Sequence, residues 1–235
     1  MTEHILKRFD DQLEKLEKRI GKMADLVQQQ VSEAMHALQT SDTSLAQTVI
    51  EMDDKVDLYD TKIEKLCMRL LALQQPVAAD LRMVLSSLSV NRNLERIGDA
   101  AVNIAERVAM IAPHAELIQK TQVVKMGEVA ADMIRDAMKA FVNVDVGLAR
   151  SVAVRDSVVD EFDQQNFDRL TARMKKSPDL AEAASHLLLV SRNIERLADE
   201  ATNIAEETVF IADAKFVKHQ GWGQKIAEDD QERSE

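Results

Sequence analysis

The stretch RNLERIGDAAVNIAE at residues 92–106 returns as RNIERLADEATNIAE at residues 192–206. A second pair accompanies it: DDKVDLYD at 53–60 and DSVVDEFD at 156–163 both read Asp-x-x-Val-Asp-x-aromatic-Asp. The break points QQP (74–76) and KSP (176–178) also fall one in each half. Self-similarity at a fixed separation requires one structural unit built twice, and each half must then satisfy the same pattern.

That pattern is helical. Leu6, Phe9, Leu13, Leu16, Ile20, Met23, Val27, Val31, Ala34 and Leu38 recur in steps of threes and fours, the spacing of one helix face. TSD at 40–42 interrupts the stripe, with Ser41 or Asp42 as the N-cap of the next helix. A second stripe runs through Leu45, Val49, Met52, Val56, Tyr59, Ile63, Leu66 and Leu70. Pro76 suits the first turn of a third helix reaching from Val77 to Ala112, ahead of Pro113. The second half predicts helices over 119–143 and 146–174, then one from Pro178, capped by Ser177, to Ala212. The expected fold is all-α, a tandem duplication of a three-helix bundle with six long antiparallel helices. The first repeat covers 1–114 and the second 115–213; 214–235 read as a flexible acidic tail whose Trp222 has no assigned role. Two copies are too few for a solenoid, so two packed bundles are expected. Three prolines, six glycines and 3% aromatic residues in 235 leave little material for sheets and turns.

Charge and motif content narrow the function. The net charge of −11, with basic residues scattered among acids, opposes a phosphate-tracking nucleic-acid surface. No apolar run approaches the roughly 18 residues that cross a bilayer, and the charged N-terminus has no signal-peptide core. Cys67 is the sole cysteine, so no internal disulfide forms. A soluble cytoplasmic protein is the expectation. The glycines form no phosphate loop, and no serine or cysteine sits in a nucleophile motif. Glu33 and His36 show the Glu-x-x-His spacing of carboxylate-bridged di-iron bundles, but once instead of twice. A carboxylate-bridged oxidase is therefore disfavoured, and nothing marks an enzyme.

The repeated polar residues share a face. At about 100° per residue, and with Glu95 at zero, Glu106, Asp99, Arg92 and Asn103 fall within about 80° of it, while Leu94, Ile97, Ala101 and Ile104 point the other way. Asp53, Asp57 and Asp60 cluster similarly on the second helix, and Asp156, Asp160 and Asp163 on the fifth. A solvated face drifts freely between duplicated halves, yet here the outward residues match better than the core. Carboxylates stacked a turn apart also repel. Two compensations are open. A cation such as Fe, Mn, Zn or Mg can be held by oxygens from adjacent helices. Alternatively, Arg92, Arg96, Arg192 and Arg196 bridge the acids and form a docking patch.

The doubled motif, preceded by the paired Asp-rich segments, resembles the PhoU family over about residues 1–213. The resemblance implies two similar three-helix bundles, often dimeric, in an accessory protein of phosphate-specific transport. It implies an adaptor on the cytoplasmic side, reaching the membrane only through partners: the nucleotide-binding subunit of the phosphate ABC transporter and the phosphate sensor histidine kinase. Such an adaptor restrains uptake and holds the starvation response off when phosphate is ample. It also implies that acidic motifs bind metal in some members. By position these are Glu95, Asp99 and Asn103 with Asp53 and Asp57, and Glu195, Asp199 and Asn203 with Asp156 and Asp160. A metal-sensing or storage bundle, or a regulator of another transporter, is the alternative.

Overall fold

The computed structural model describes residues 2–215 and Val217, with residues 2–8 as helix backbone only. Trp222 and the acidic run from Glu228 lie outside the described residues. The described residues form helices joined by short turns: α1 (Thr2–Thr40), α2 (Thr43–Gln74), α3 (Ala78–Ala105), α4 (Val108–Ile111), α5 (Glu116–Gln119), α6 (Val123–Asn143), α7 (Val146–Lys176) and α8 (Ala181–Asp213). Single 3-10 turns occupy Ala112–His114 and Pro178–Leu180. The six long helices are those expected from the sequence. α1–α3 pack as one bundle and α6–α8 as another, joined by α3 against α8 and by α1 against α6.

The first turn of each half is built alike. Ser41 and Val144 take left-handed conformations (φ 55° and 51°), ending α1 and α6. The next residue donates its N–H five residues back, Asp42 to Ala37 and Asp145 to Ala140, each at 2.9 Å. That residue then caps the following helix: Asp42 accepts from the N–H groups of Ser44 and Leu45, and Asp145 from that of Leu148. An aspartate at this position satisfies orphan donors of the new helix.

Four details depart from the sequence reading, one being that the helix expected over 119–143 begins at Val123, after a break at residues 120–122. The third helix stops at Ala105 and gives way to α4 and to a 3-10 turn that contains Pro113, instead of running to Ala112. Pro76 lies in the connection before Val77, the N-cap of α3, and does not enter the first turn. Pro178 opens a 3-10 turn and Ser177 provides no side-chain cap; the α-helical part starts at Ala181. Proline fixes φ without imposing α-helical hydrogen bonding, so it suits either kind of turn.

α3 and α8 form the centre of the molecule, lined by small buried residues including Ala100, Ala101, Ala105, Ala184, Ala198, Ala201 and Ala205. Small side chains let these backbones approach closely. The two helices run antiparallel across the seam. Arg82 Nε donates to the carbonyl of Ile211 (3.3 Å), Ser86 Oγ donates to Glu207 (2.9 Å), and Arg96 lies 3.6 Å from Glu200. Cys67 is buried, and burial pushes its thiol up to about 12, leaving it protonated.

Candidate functional site

The acidic stripes of α2 and α3 lie side by side on one face of the first bundle, and those of α7 and α8 on one face of the second. In each pair of helices the core stripe faces the bundle interior, so the opposite polar stripes meet along the outer groove. Asp53, Glu95 and Asn103 are half-buried there, whereas Asp57 and Asp99 are exposed. Asp156, Glu195 and Asn203 repeat the half-buried set, with Asp160 and Asp199 exposed. The stripes are therefore less solvated than their angular position on isolated helices suggests, because the neighbouring helix covers their inner edge.

In the first face, burial pushes the carboxyl of Asp53 up, and the charges of Asp57, Asp99 and Asp54 add to this. A hydrogen bond from Gln30 Nε2 (3.1 Å) opposes the rise. Glu95 is raised by burial and then by Asp99, Asp60 and Asp57, so acids of α2 and α3 act on one another across the groove. Asp60, also raised by burial, accepts a 2.5 Å hydrogen bond from Asn91. Asn103 bonds back to the carbonyl of Asp99 at 2.8 Å.

The second face is more strongly perturbed. Burial, then Asp199 and Asp160, push Asp156 up to about 6. Burial and Asp199 push Glu195 up to about 7, against the pull of Arg192. Asp199 is raised by burial and by Asp160. Asp163 accepts from Ser191 Oγ at 2.7 Å, and Asp156 from Thr202 Oγ1 at 3.4 Å. Asn203 turns toward Glu200, 3.3 Å away.

The four arginines separate. Arg192 bridges its own face, 3.1 Å from Glu195 and 3.6 Å from Asp163. Arg96 leaves its stripe and reaches across the seam to the buried Glu200. Arg92 and Arg196 stand exposed. His36 is exposed, and Glu33 accepts from Gln29 at 2.7 Å.

Among the described residues, no three His, Cys, Asp or Glu side chains are gathered tightly enough to hold one ion. The donor chemistry nevertheless fits a hard cation. Each face offers carboxylate and carboxamide oxygens without thiol or imidazole, and its charges repel without full compensation. Bringing them onto an ion requires rotation of side chains that lie along one groove.

Several polar residues behind these faces or in the seam escaped the sequence reading: Gln30, Asn91, Asn166, Ser191, Glu200 and Glu207 are all buried. Gln30 had a visible signal, a polar residue next to Val31 on the apolar stripe of α1. Glu200 stands where the first repeat has Ala100, so comparison of the repeats could have exposed it.

A family model described as the PhoU domain matches residues 20–108 and 123–208. The phosphate-specific transport system accessory protein PhoU homolog of Aquifex aeolicus is 37% identical over 209 residues, covering 89% of this chain and 95% of that protein. The Pseudomonas aeruginosa homolog is 33% identical over 222 residues, covering 94% and 92%. The crystal structure of PhoU from Pseudomonas aeruginosa superposes with a TM-score of 0.85 at 33% identity, covering 88% of this chain and 100% of that one. The phosphate transport system regulatory protein PhoU from Streptococcus pneumoniae gives 0.76 at 29% identity, covering 89% and 99%.

Proposed function

The chain belongs to the PhoU family of phosphate-transport accessory and regulatory proteins, which are not enzymes, and on that premise we propose that it is a negative regulator of the phosphate-starvation response. It acts as an adaptor between the nucleotide-binding subunit of the phosphate ABC transporter and the sensor histidine kinase, and it modulates uptake. Among the described residues no helix is long and apolar enough to cross a membrane. Contact with the membrane on the cytoplasmic side then runs through these partners. A homodimer is part of the same reading.

The observation that supports this reading is the pair of like acidic faces set outside the core of each bundle. An adaptor needs a surface whose affinity differs between conformations of its partner, and no chemistry of its own. Divalent cations complete the surface: Asp53, Asp57, Glu95, Asp99 and Asn103 would hold them on the first face, and Asp156, Asp160, Glu195, Asp199 and Asn203 on the second. A bound cation would supply positive charge that relieves the repulsion and offers open coordination positions to a partner's oxygens. Mg or Mn suits the oxygen donors best, with Fe and Zn as the other candidates. Arg92 and Arg196, both exposed, flank the faces as docking residues, whereas Arg96 and Arg192 are engaged by Glu200 and Glu195.

The test is co-purification from bacteria grown with ample phosphate, using tagged wild type and the variant Glu95→Ala, Asp99→Ala, Glu195→Ala, Asp199→Ala. Recovery of the transporter ATPase and the kinase with wild type alone ties the faces to regulation. Equal recovery with both proteins would place the docking surface elsewhere. Metal bound by wild type without either partner would favour a metal-sensing or storage bundle.

A further inference from the structure

The two faces look like copies in sequence, yet the groups behind them differ in a coupled way. In the first bundle Gln30 of α1 is fully buried, and its Nε2 donates to Asp53 Oδ1 (3.1 Å) and to the carbonyl of Val49 (3.3 Å). Its Oε1 is buried without a hydrogen-bond partner. The carboxamide occupies room left by Gly98 of α3. A Cβ there would stand 3.2 Å from Gln30 Oε1 and 3.5 Å from Asp53 Oδ1. Glycine thus allows the amide, the α2 carboxylate and the α3 backbone to meet behind the acidic face.

The second bundle lacks both parts. Ala34-Met35-His36-Ala37 of α1 matches Ala137-Met138-Lys139-Ala140 of α6, and each precedes the same Asp-capped turn. This register puts Met133, fully buried, at the place of Gln30. The doubled motif puts Ala198 at the place of Gly98. The equivalent carboxylate, Asp156, accepts only a long 3.4 Å contact from Thr202. Amide and glycine occur together in one half, while methionine and alanine occur together in the other.

We propose that Gln30 and Gly98 bias the α2/α3 face to take up a divalent cation before the α7/α8 face does. The inference rests on the reading of these faces as cation-binding. Gln30 is a positioning residue. By donating to one oxygen of Asp53, it limits the rotation of that carboxylate before an ion arrives, and its own Oε1, buried without a partner beside Gly98, is a further oxygen close to the same carboxylate. Groups that orient a ligand in this way typically change affinity by about 10–100-fold. The α7/α8 face must orient Asp156 at the moment of binding, which costs affinity.

The experiment is titration of the full chain with Mn2+, following free Mn2+ by electron paramagnetic resonance and heat by calorimetry. Wild type should show a tighter and a weaker class of site. Asp53→Asn should remove the tighter class and Asp156→Asn the weaker. Gln30→Met should weaken the tighter class by about 10-fold or more, and Met133→Gln with Ala198→Gly should tighten the weaker one. Should Gln30→Met fail to fold, as judged by circular dichroism, the graft decides alone. A graft that leaves the weaker class unchanged overturns the inference. Two classes that survive Gln30→Met unaltered overturn it while leaving cation binding intact. Absence of Mn2+ binding in wild type refutes the cation reading itself, and the inference falls with it.

Discussion

Replacing Asp156 by Asn and Glu195 by Gln should stabilise the protein above neutral pH, although both substitutions remove polar charge from a surface groove. Burial and neighbouring carboxylates raise Asp156 from 3.8 to about 6 and Glu195 from 4.5 to about 7. Each shift corresponds to about 3 kcal/mol without screening. Both groups are partly open to solvent, which reduces that by about half. Both also feel Asp199, so their contributions overlap and about 2 kcal/mol is expected for the pair. The sign follows from linkage. Raised carboxyls give the folded state more bound protons than the unfolded one, so their favourable contribution is full below about pH 4 and is lost as pH rises through about 6 and 7. Wild type without added metal should therefore gain stability on acidification from pH 8 toward pH 5. The double variant should exceed it at pH 8 by about 4–8 °C in Tm. That advantage should fall by about half near pH 5 and vanish near pH 4. Thermal unfolding by circular dichroism across pH 4–8, with chelator present, reads all three. A variant less stable than wild type at pH 8, or an advantage independent of pH, would show that the groove carboxylates are not in conflict.

Two further outcomes follow from the buried polar contacts. Asn166 accepts from the Gln122 N–H at 2.6 Å and donates to Ser191 at 3.0 Å, tying the start of α6 to α7 and α8. Asn166→Ala should cost about 2–3 kcal/mol in urea unfolding, because it strands buried partners; a change within about 0.5 kcal/mol would show that they find other partners. At the seam, Arg96→Met should destabilise by about 1–3 kcal/mol by leaving Glu200 without its counter-charge. Adding Glu200→Ala, which restores the residue found at Ala100, should recover most of the loss, and a double-mutant cycle showing no coupling would discount the pair.

Helix content and duplication were legible because they rest on local periodicity. The stripe through Leu16, Ile20, Met23, Val27 and Val31 that marks α1 consists of buried residues. The outward position of the Glu95 and Asp53 stripes was legible for the same reason. Their half-burial was not, since it depends on how closely α2 approaches α3, and Gly98 contributes to that by lacking a side chain. The end of α3 at Ala105 was hidden because the apolar pattern continues through Val108 and Ile111, which remain buried in α4. Arg96 reads as part of the polar stripe on its own helix, and only the packing of α3 on α8 reveals Glu200 as its partner.

The seam and the groove faces differ in how far the two copies have diverged. α3 and α8 meet antiparallel, so identical helices would set each residue of one against a fixed counterpart of the other. Arg96 then needs an acid from the opposite helix, and the second copy provides Glu200 where the first has Ala100. Ser86 meets Glu207, whose counterpart in the first copy is Arg107. At the seam the halves differ, Glu200 against Ala100 and Glu207 against Arg107. The groove faces lie outside the core of each bundle, and packing does not require them to be the same. Mutual repulsion opposes keeping four carboxylates in register on each face. Their identity in both halves, against that repulsion and beside a seam that has diverged, is the observation that the proposed cation binding accounts for.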